Sequence, residues 1–372
     1  MTTDFSSSPP PDGDQFPTLL EEKTWGTLPD GRKAKLFSFS NNKMQVEISN
    51  FGGIIHSIKV PDRHGRSEEI TLGFDQLDPY LPSDGDHPYF GALVGRYANR
   101  IGHGQFILDG KTYQPATTNN GPHCLHGGKM GFDRQLWSAE MITSPTHPKL
   151  ILRYSSPGGE EGFPGTLQAS VTFELTPDQD FKISYRATTD QPTVVNLTHH
   201  PYFNLGGIIQ KDCLGHEVFI HADHFLPIGP TLIPTGEIWK VQHTPMDFTH
   251  PKKIEQGIHD PFPSIKIASG FDHNWVLNKT ESGELSLAAR VKEYTSGREM
   301  EIWTTNPGVQ FYTGNFLSGL PERNRKTLSG RDAFCLETQY FPDSPNISYF
   351  PSTVLRPGQL YQETTIFKFR TF

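Results

Sequence analysis

Apolar and polar residues alternate along most of this chain with a period of two, in runs too short for long helices. In "ASVTFELTPDQDFKISYRAT" two alternating runs flank a polar Pro-Asp turn, and "LAARVKEYTSGREMEIWTT" repeats the pattern around Ser296-Gly297. "GQFILDGKTYQP" sets Asp109-Gly110 between two β-prone runs; both turn residues tolerate the positive φ that a two-residue hairpin demands. Helical periodicity is weak, with one short turn expected in "FDQLDPYL". Many short strands punctuated by turn residues predict an all-β fold, a large antiparallel β-sandwich or barrel.

Residues 1–22 are rich in Ser, Pro, Gly and Asp, too polar to bury a core of their own, and are expected to form a disordered tail. Beyond it glycine and proline are spread evenly instead of gathering into a linker, so residues 23–372 are expected to form a single domain. A chain of this length buries roughly three quarters of its unfolded surface and needs no staples. Its three cysteines, Cys124, Cys213 and Cys335, are odd in number and read as buried thiols in a reducing compartment. The net charge of −8 argues against nucleic acid or an anionic membrane as partner. The amino terminus has no basic and apolar export signal, and no later run has the length to span a bilayer. A cytoplasmic protein is expected.

Adjacent histidines in "NLTHHPYFNLGG" raise a question of parity. On an unbroken strand Val195, Leu197, His199, Pro201 and Phe203 share one face, and Asn196, Thr198, His200, Tyr202 and Asn204 share the other. The first set is mostly apolar, so His199 is expected to face the core as a structural residue. His200 faces the polar side. Pro201 can introduce a bulge, which limits the inference to residues before it.

Four further stretches combine polar and aromatic residues at high density: "GRYANRI", "NNGPHCLHGGKMGFDRQLW", "GFDHNWVL" and "FCLETQYFPDSPN". A fifth, "TTNPGVQFYTGNFL", adds a glutamine on a predicted strand. Carboxylates, imidazoles, amides, a guanidinium and aromatic faces suit a polyhydroxylated ligand, whose hydroxyls need donors and acceptors and whose C–H face stacks on rings.

These motifs follow one another along the chain in family order, and with them the sequence from about Thr24 to Phe372 resembles the galactose mutarotase (aldose 1-epimerase) family. The resemblance implies a galactose mutarotase-like supersandwich and an isomerase that interconverts the α and β anomers of free hexoses such as D-galactose and D-glucose. Glu337 matches the family's general base, which takes the proton from the C1 hydroxyl, and His200 the general acid, which protonates the ring oxygen. Asn99, Arg100, His126, Tyr202, Asp272 and Gln310 match sugar-contacting positions. The family commonly has Asn, and then Ser or Thr, where this chain has His199 and Pro201. The small-molecule partner is an aldohexose, and the implied state is a monomer or weak homodimer.

Ring opening moves one proton off one oxygen and one onto another, so one acceptor and one donor must flank the same ring. Each contributes on the order of 10²- to 10⁴-fold, and no cofactor is required. A neighbouring carboxylate favours the charged imidazole, so His200 is expected to be protonated at neutral pH. His123 and His126 have HxxH spacing but sit in a Gly-rich run without the helix that puts two imidazoles on one face, so no metal is expected. Competing readings are a hexose-6-phosphate mutarotase, which needs a basic cluster, and a glycosidase using Asp272 and Glu337. A third is a non-catalytic sugar-binding β-sandwich. The ordinary fates of the same residues are a surface ion pair for Arg100, a turn cap for Asp272 and a plain strand position for Gln310. Glu337, in an apolar run, resists such a reading because a charge there is costly unless paired or used.

Overall fold

The computed structural model describes residues 19–40, 43–81, 88–115, 121–144, 148–176, 178, 180–208, 212–323 and 327–372. The period-two runs are strands, and they pair antiparallel in three large sheets. The largest sheet runs in the order Ser138–Ile142, Lys149–Ser156, Leu167–Leu175, Phe181–Thr189, Tyr361–Thr371, Arg298–Thr304, Ser286–Glu293, Glu217–Ile220 and Lys252–Lys253. The last strand of the chain thus lies between strands from its two halves, joining them through one hydrogen-bonded ladder. A five-stranded meander, Leu19–Thr27 to Ser67–Glu69, forms the second sheet. The third runs in the order Trp239–Lys240, His224–Phe225, Asp272–Val276, Gly308–Tyr312 and Cys335–Gln339.

One apolar core is shared by all three sheets. Phe39, Val46 and Ile58 come from the meander, Val171, Ile183, Ile302 and Phe367 from the large sheet, and Trp275, Val309, Phe311 and Leu336 from the third. Each buried side chain of this size contributes about 1.5–3 kcal/mol.

The expected all-β sandwich is the observed fold. The Asp109-Gly110 hairpin forms with Leu108 opposite Lys111 and positive φ at both turn residues, 49° and 76°. Around Ser296 the turn is longer than two residues: Glu293 pairs with Arg298, and the Glu293 carboxylate accepts from the backbone N–H groups of Thr295 and Ser296. The strands flanking the Pro-Asp turn pair over their full length, while Pro177 itself lies outside the described residues. The short turn in "FDQLDPYL" is a single 3₁₀ turn, Asp78–Tyr80. An α-helix, Pro263–Ala268, was not expected, because six residues are too few to display a helical period.

The expected boundary after Glu22 needs correction. Residues 19–22 belong to the first strand, with Glu22 paired to Phe37 and Leu20 buried in the core; residues 1–18 lie outside the described residues. A polar stretch averaged over its length hid one anchoring leucine. Among the described residues no helix is long and apolar enough to cross a membrane, and Cys124, Cys213 and Cys335 are free and buried.

Candidate active site

The three strands of the third sheet nearest the site, Asp272–Val276, Gly308–Tyr312 and Cys335–Gln339, are buried along most of their length, and alternation sorts their residues. Trp275, Val309, Phe311 and Leu336 point into the core, so Asn274, Gln310 and Glu337 point to the other side, directly opposite one another across three strands. Asp272, Tyr312 and Cys335 form the neighbouring rung on that same face. Glu337 is 2% exposed. Burial first, and then the nearby Asp272 carboxylate, push its carboxyl well above the usual range; the Arg100 guanidinium pulls the other way.

His200 arrives from a separate segment. The two-residue strand Thr198–His199 pairs with Leu93–Val94, and the His200 backbone is held on both sides by the Ala92 carbonyl and the Gly91 N–H, each at 3.0 Å. Its Nε2 stands 3.5 Å from Oε1 of Glu337, and its Nδ1 3.5 Å from the Cys335 sulfur. The Tyr202 ring stacks on the imidazole at 4.9 Å. The parity assigned from sequence holds, and it continues past Pro201: Phe203 enters the core while Tyr202 faces the cleft. His199 points into the core, where Nδ1 meets the Tyr185 hydroxyl at 2.8 Å and Nε2 the Gly53 carbonyl at 3.0 Å.

The expected charge on His200 is not what this environment favours. Burial lowers its pKa to about 4 and raises that of Glu337, so desolvation outweighs the attraction between two charged partners.

A tight pairing of Arg100–Ile101 with Cys124–Leu125 supplies the facing wall. Asn99 and His126 flank it in the left-handed region, φ 62° and 52°, and bond each other twice: His126 N–H to the Asn99 carbonyl at 2.9 Å, and Asn99 N–H to His126 Nδ1 at 3.2 Å. The second bond makes Nδ1 an acceptor, which leaves the hydrogen on Nε2. The next residue must be glycine: Gly127 has φ 90°, and a Cβ there would come within 1.9 Å of the Gly95 carbonyl oxygen. Arg100 Nη2 faces Asp272 Oδ2 at 4.0 Å, and Gln310 Nε2 donates to Asp272 Oδ1 at 2.7 Å.

These walls enclose a cleft of about 340 Å³ lined by Asn99, Arg100, His126, His200, Tyr202, Asp272 and Glu337. Gln310, the eighth residue singled out from sequence, stands behind Asp272 and does not line it. Sequence reasoning missed Tyr89 and Tyr312 and an apolar rim of Leu232, Phe316, Leu317 and Leu320. Tyr312 was legible, two residues beyond Gln310 on one strand. Tyr89 was not: it reaches the site through a left-handed backbone, φ 55°, that places its ring 4.6 Å from that of His126. A larger groove, about 670 Å³, runs between Val60–Gly65 and Lys368–Thr371, where Asp180 is bonded to Arg370 at 2.8 Å and lies 3.6 Å from Lys368.

One ligand atom each from His126, His200 and Glu337 lies within 4.8 Å of the others, a set that invites a metal. The tautomer of His126 does not fit one, since Nε2 presents a hydrogen and not a lone pair. His123, the other member of the HxxH pair, uses its Nδ1 to accept from the His103 N–H.

Residues 35–368 match the model of the aldose 1-epimerase family. The chain is 44% identical to pig galactose mutarotase over 352 residues, covering 94% of this chain and 98% of the pig protein. It is 35% identical to the aldose 1-epimerase of Escherichia coli over 354 residues, 94% of this chain and 99% of that one. The solved structure of a galactose 1-epimerase from Lactobacillus acidophilus superposes with a TM-score of 0.82 at 22% identity, over 95% of this chain and 99% of the other, and shares the fold. With a family model spanning most of its length and relatives aligned nearly end to end, the chain belongs to the aldose 1-epimerase family.

Proposed function

We propose that this chain is a mutarotase that opens and recloses the pyranose ring of free aldohexoses such as galactose and glucose. The observation that carries the reading is the approach of His200 Nε2 to Glu337 Oε1 at 3.5 Å on the wall of a sugar-sized cleft. Two proton-carrying groups that close, in a site shielded from water, can serve the two oxygens of one hemiacetal carbon.

In the productive state Glu337 takes the proton of the C1 hydroxyl while His200 delivers one to the ring oxygen, and the C1–O5 bond breaks. The aldehyde rotates about C1–C2. On reclosure His200 removes the proton from the C5 hydroxyl, Glu337 returns its own to the carbonyl oxygen, and both side chains are restored. His126 directs its Nε2–H into the cleft, where it suits a sugar hydroxyl near C1. Asn99, Arg100 and Asp272 offer a mixed set of donors and acceptors, and Tyr202 offers a ring edge. Gln310 holds the Asp272 carboxylate in place. Residues from Leu19 onward act as one domain, supported by the ladder that joins the two halves of the chain. Three buried free thiols support a reducing, cytoplasmic setting.

A hexose-6-phosphate substrate is disfavoured, because Arg100 is the only lysine or arginine among the described residues lining the cleft and it faces Asp272. A glycosidase is disfavoured because both Asp272 oxygens are engaged by Gln310 and Arg100. Polarimetry of freshly dissolved α-D-galactose tests the proposal: the protein accelerates the approach to equilibrium rotation, and a rate equal to that of buffer refutes it.

A further inference from the structure

Of the three buried thiols, Cys335 is the one that touches the acid–base pair. It lies two residues before Glu337 on the strand Cys335–Gln339, so both side chains stand on one face, about 7 Å apart along the backbone. The imidazole of His200 spans that interval: Nδ1 is 3.5 Å from Cys335 Sγ, and Nε2 is 3.5 Å from Glu337 Oε1. One strand therefore addresses both nitrogens of one ring. Tyr202 stacks on that ring at 4.9 Å and His126 meets it edge-on at 5.3 Å, so it has little room to turn. Cys335 is 0% exposed, and burial first, then the Glu337 and Asp272 carboxylates, push its thiol well above the usual range. The sulfur keeps its hydrogen and carries no charge.

The proton that His200 exchanges with the sugar travels through Nε2. The imidazolium that gives this proton and the neutral ring that later takes one back both carry a hydrogen on Nδ1. A neutral ring of the other tautomer, with its hydrogen on Nε2, has no lone pair there to receive the proton of the C5 hydroxyl. The group that Nδ1 bonds decides between the two tautomers. We propose that Sγ of Cys335 accepts the hydrogen of His200 Nδ1 and so reserves Nε2 for proton exchange, which makes Cys335 a positioning residue for the acid–base pair. The inference rests on the mutarotase reading of that pair and adds what fixes the tautomer of its acid. A thiol sulfur is a weak acceptor. It orients the N–H without the increase in ring basicity that a carboxylate in the same place would bring.

Nitrogen NMR of the sugar-free protein, labelled in its histidine rings, reads the tautomer directly; the His200 signals are those missing from the His200→Asn spectrum. A hydrogen on Nδ1 is expected, and a neutral ring with its hydrogen on Nε2 and a bare Nδ1 overturns the proposal. Cys335→Val fills the space of the thiol without an acceptor. It is expected to move the His200 ring toward the Nε2–H tautomer and to lower kcat on the order of tenfold, with KM little changed. A thiol that only fills space would leave both the tautomer and kcat of Cys335→Val at their wild-type values, which also refutes the proposal. Polarimetry of the wild type is a separate measurement: the Nδ1–H tautomer without any acceleration of mutarotation defeats the mutarotase reading alone.

Discussion

The imidazole Nε2 of His200 and the carboxyl Oε1 of Glu337 stand 3.5 Å apart, brought together by a two-residue strand and by the edge strand of the third sheet. Neither segment could position its group alone. Replacing either partner conservatively, as Glu337→Gln or His200→Asn, is expected to lower kcat by on the order of 10²- to 10⁴-fold. Far-ultraviolet circular dichroism should be unchanged. A near-wild-type rate in either variant contradicts the assigned roles.

Two arginines in one motif should fail differently. Arg96 is 2% exposed and directs five hydrogen bonds to the Ser156 hydroxyl and to the carbonyls of Ser156, Pro157, Pro164 and Gly165. A lysine has three donors and no planar fork, so Arg96→Lys is expected to cost about 3 kcal/mol or more in urea denaturation. The folded fraction should keep its kcat. Arg100→Lys, at the cleft wall, should raise KM about tenfold or more with little loss of stability.

Gly127→Ala tests the left-handed link behind His126. The added methyl would meet the Gly95 carbonyl oxygen at 1.9 Å with φ at 90°, so backbone must move. A loss of about 2–4 kcal/mol is expected, together with a drop in kcat as the Asn99 to His126 bond is disturbed. An unchanged urea midpoint would show that the loop yields freely.

His199 provides a pH test of burial. Its folded pKa, lowered to about 3 by desolvation, lies below the ordinary value near 6.5. Between those values the unfolded chain binds a proton that the native protein does not, so the stability His199 contributes is complete above about pH 6.5 and is lost as pH falls toward 3. The difference in unfolding free energy between wild type and His199→Asn should therefore narrow by about 1.4 kcal/mol per pH unit on acidification. A constant difference across that range would mean that His199 is already charged in the core.

Much of this architecture could be read from residue order, because the properties involved are local. A period of two marks strands and assigns faces, so His199 and His200 could be sorted to opposite sides and the Asp109-Gly110 turn placed without coordinates. The five motifs together with the two-histidine stretch pointed to seven residues that line one cleft. What local pattern does not carry is the environment created when distant segments meet. Burial shifts His200 in the direction opposite to the one expected from charge alone, since the cost of burying both groups exists only once three sheets close around them. Tyr89 enters through a backbone angle with no signature in its neighbours, and the placement of Gln310 behind Asp272 depends on the register between two strands. Spacing along a chain encodes direction, while desolvation and register belong to the packed whole.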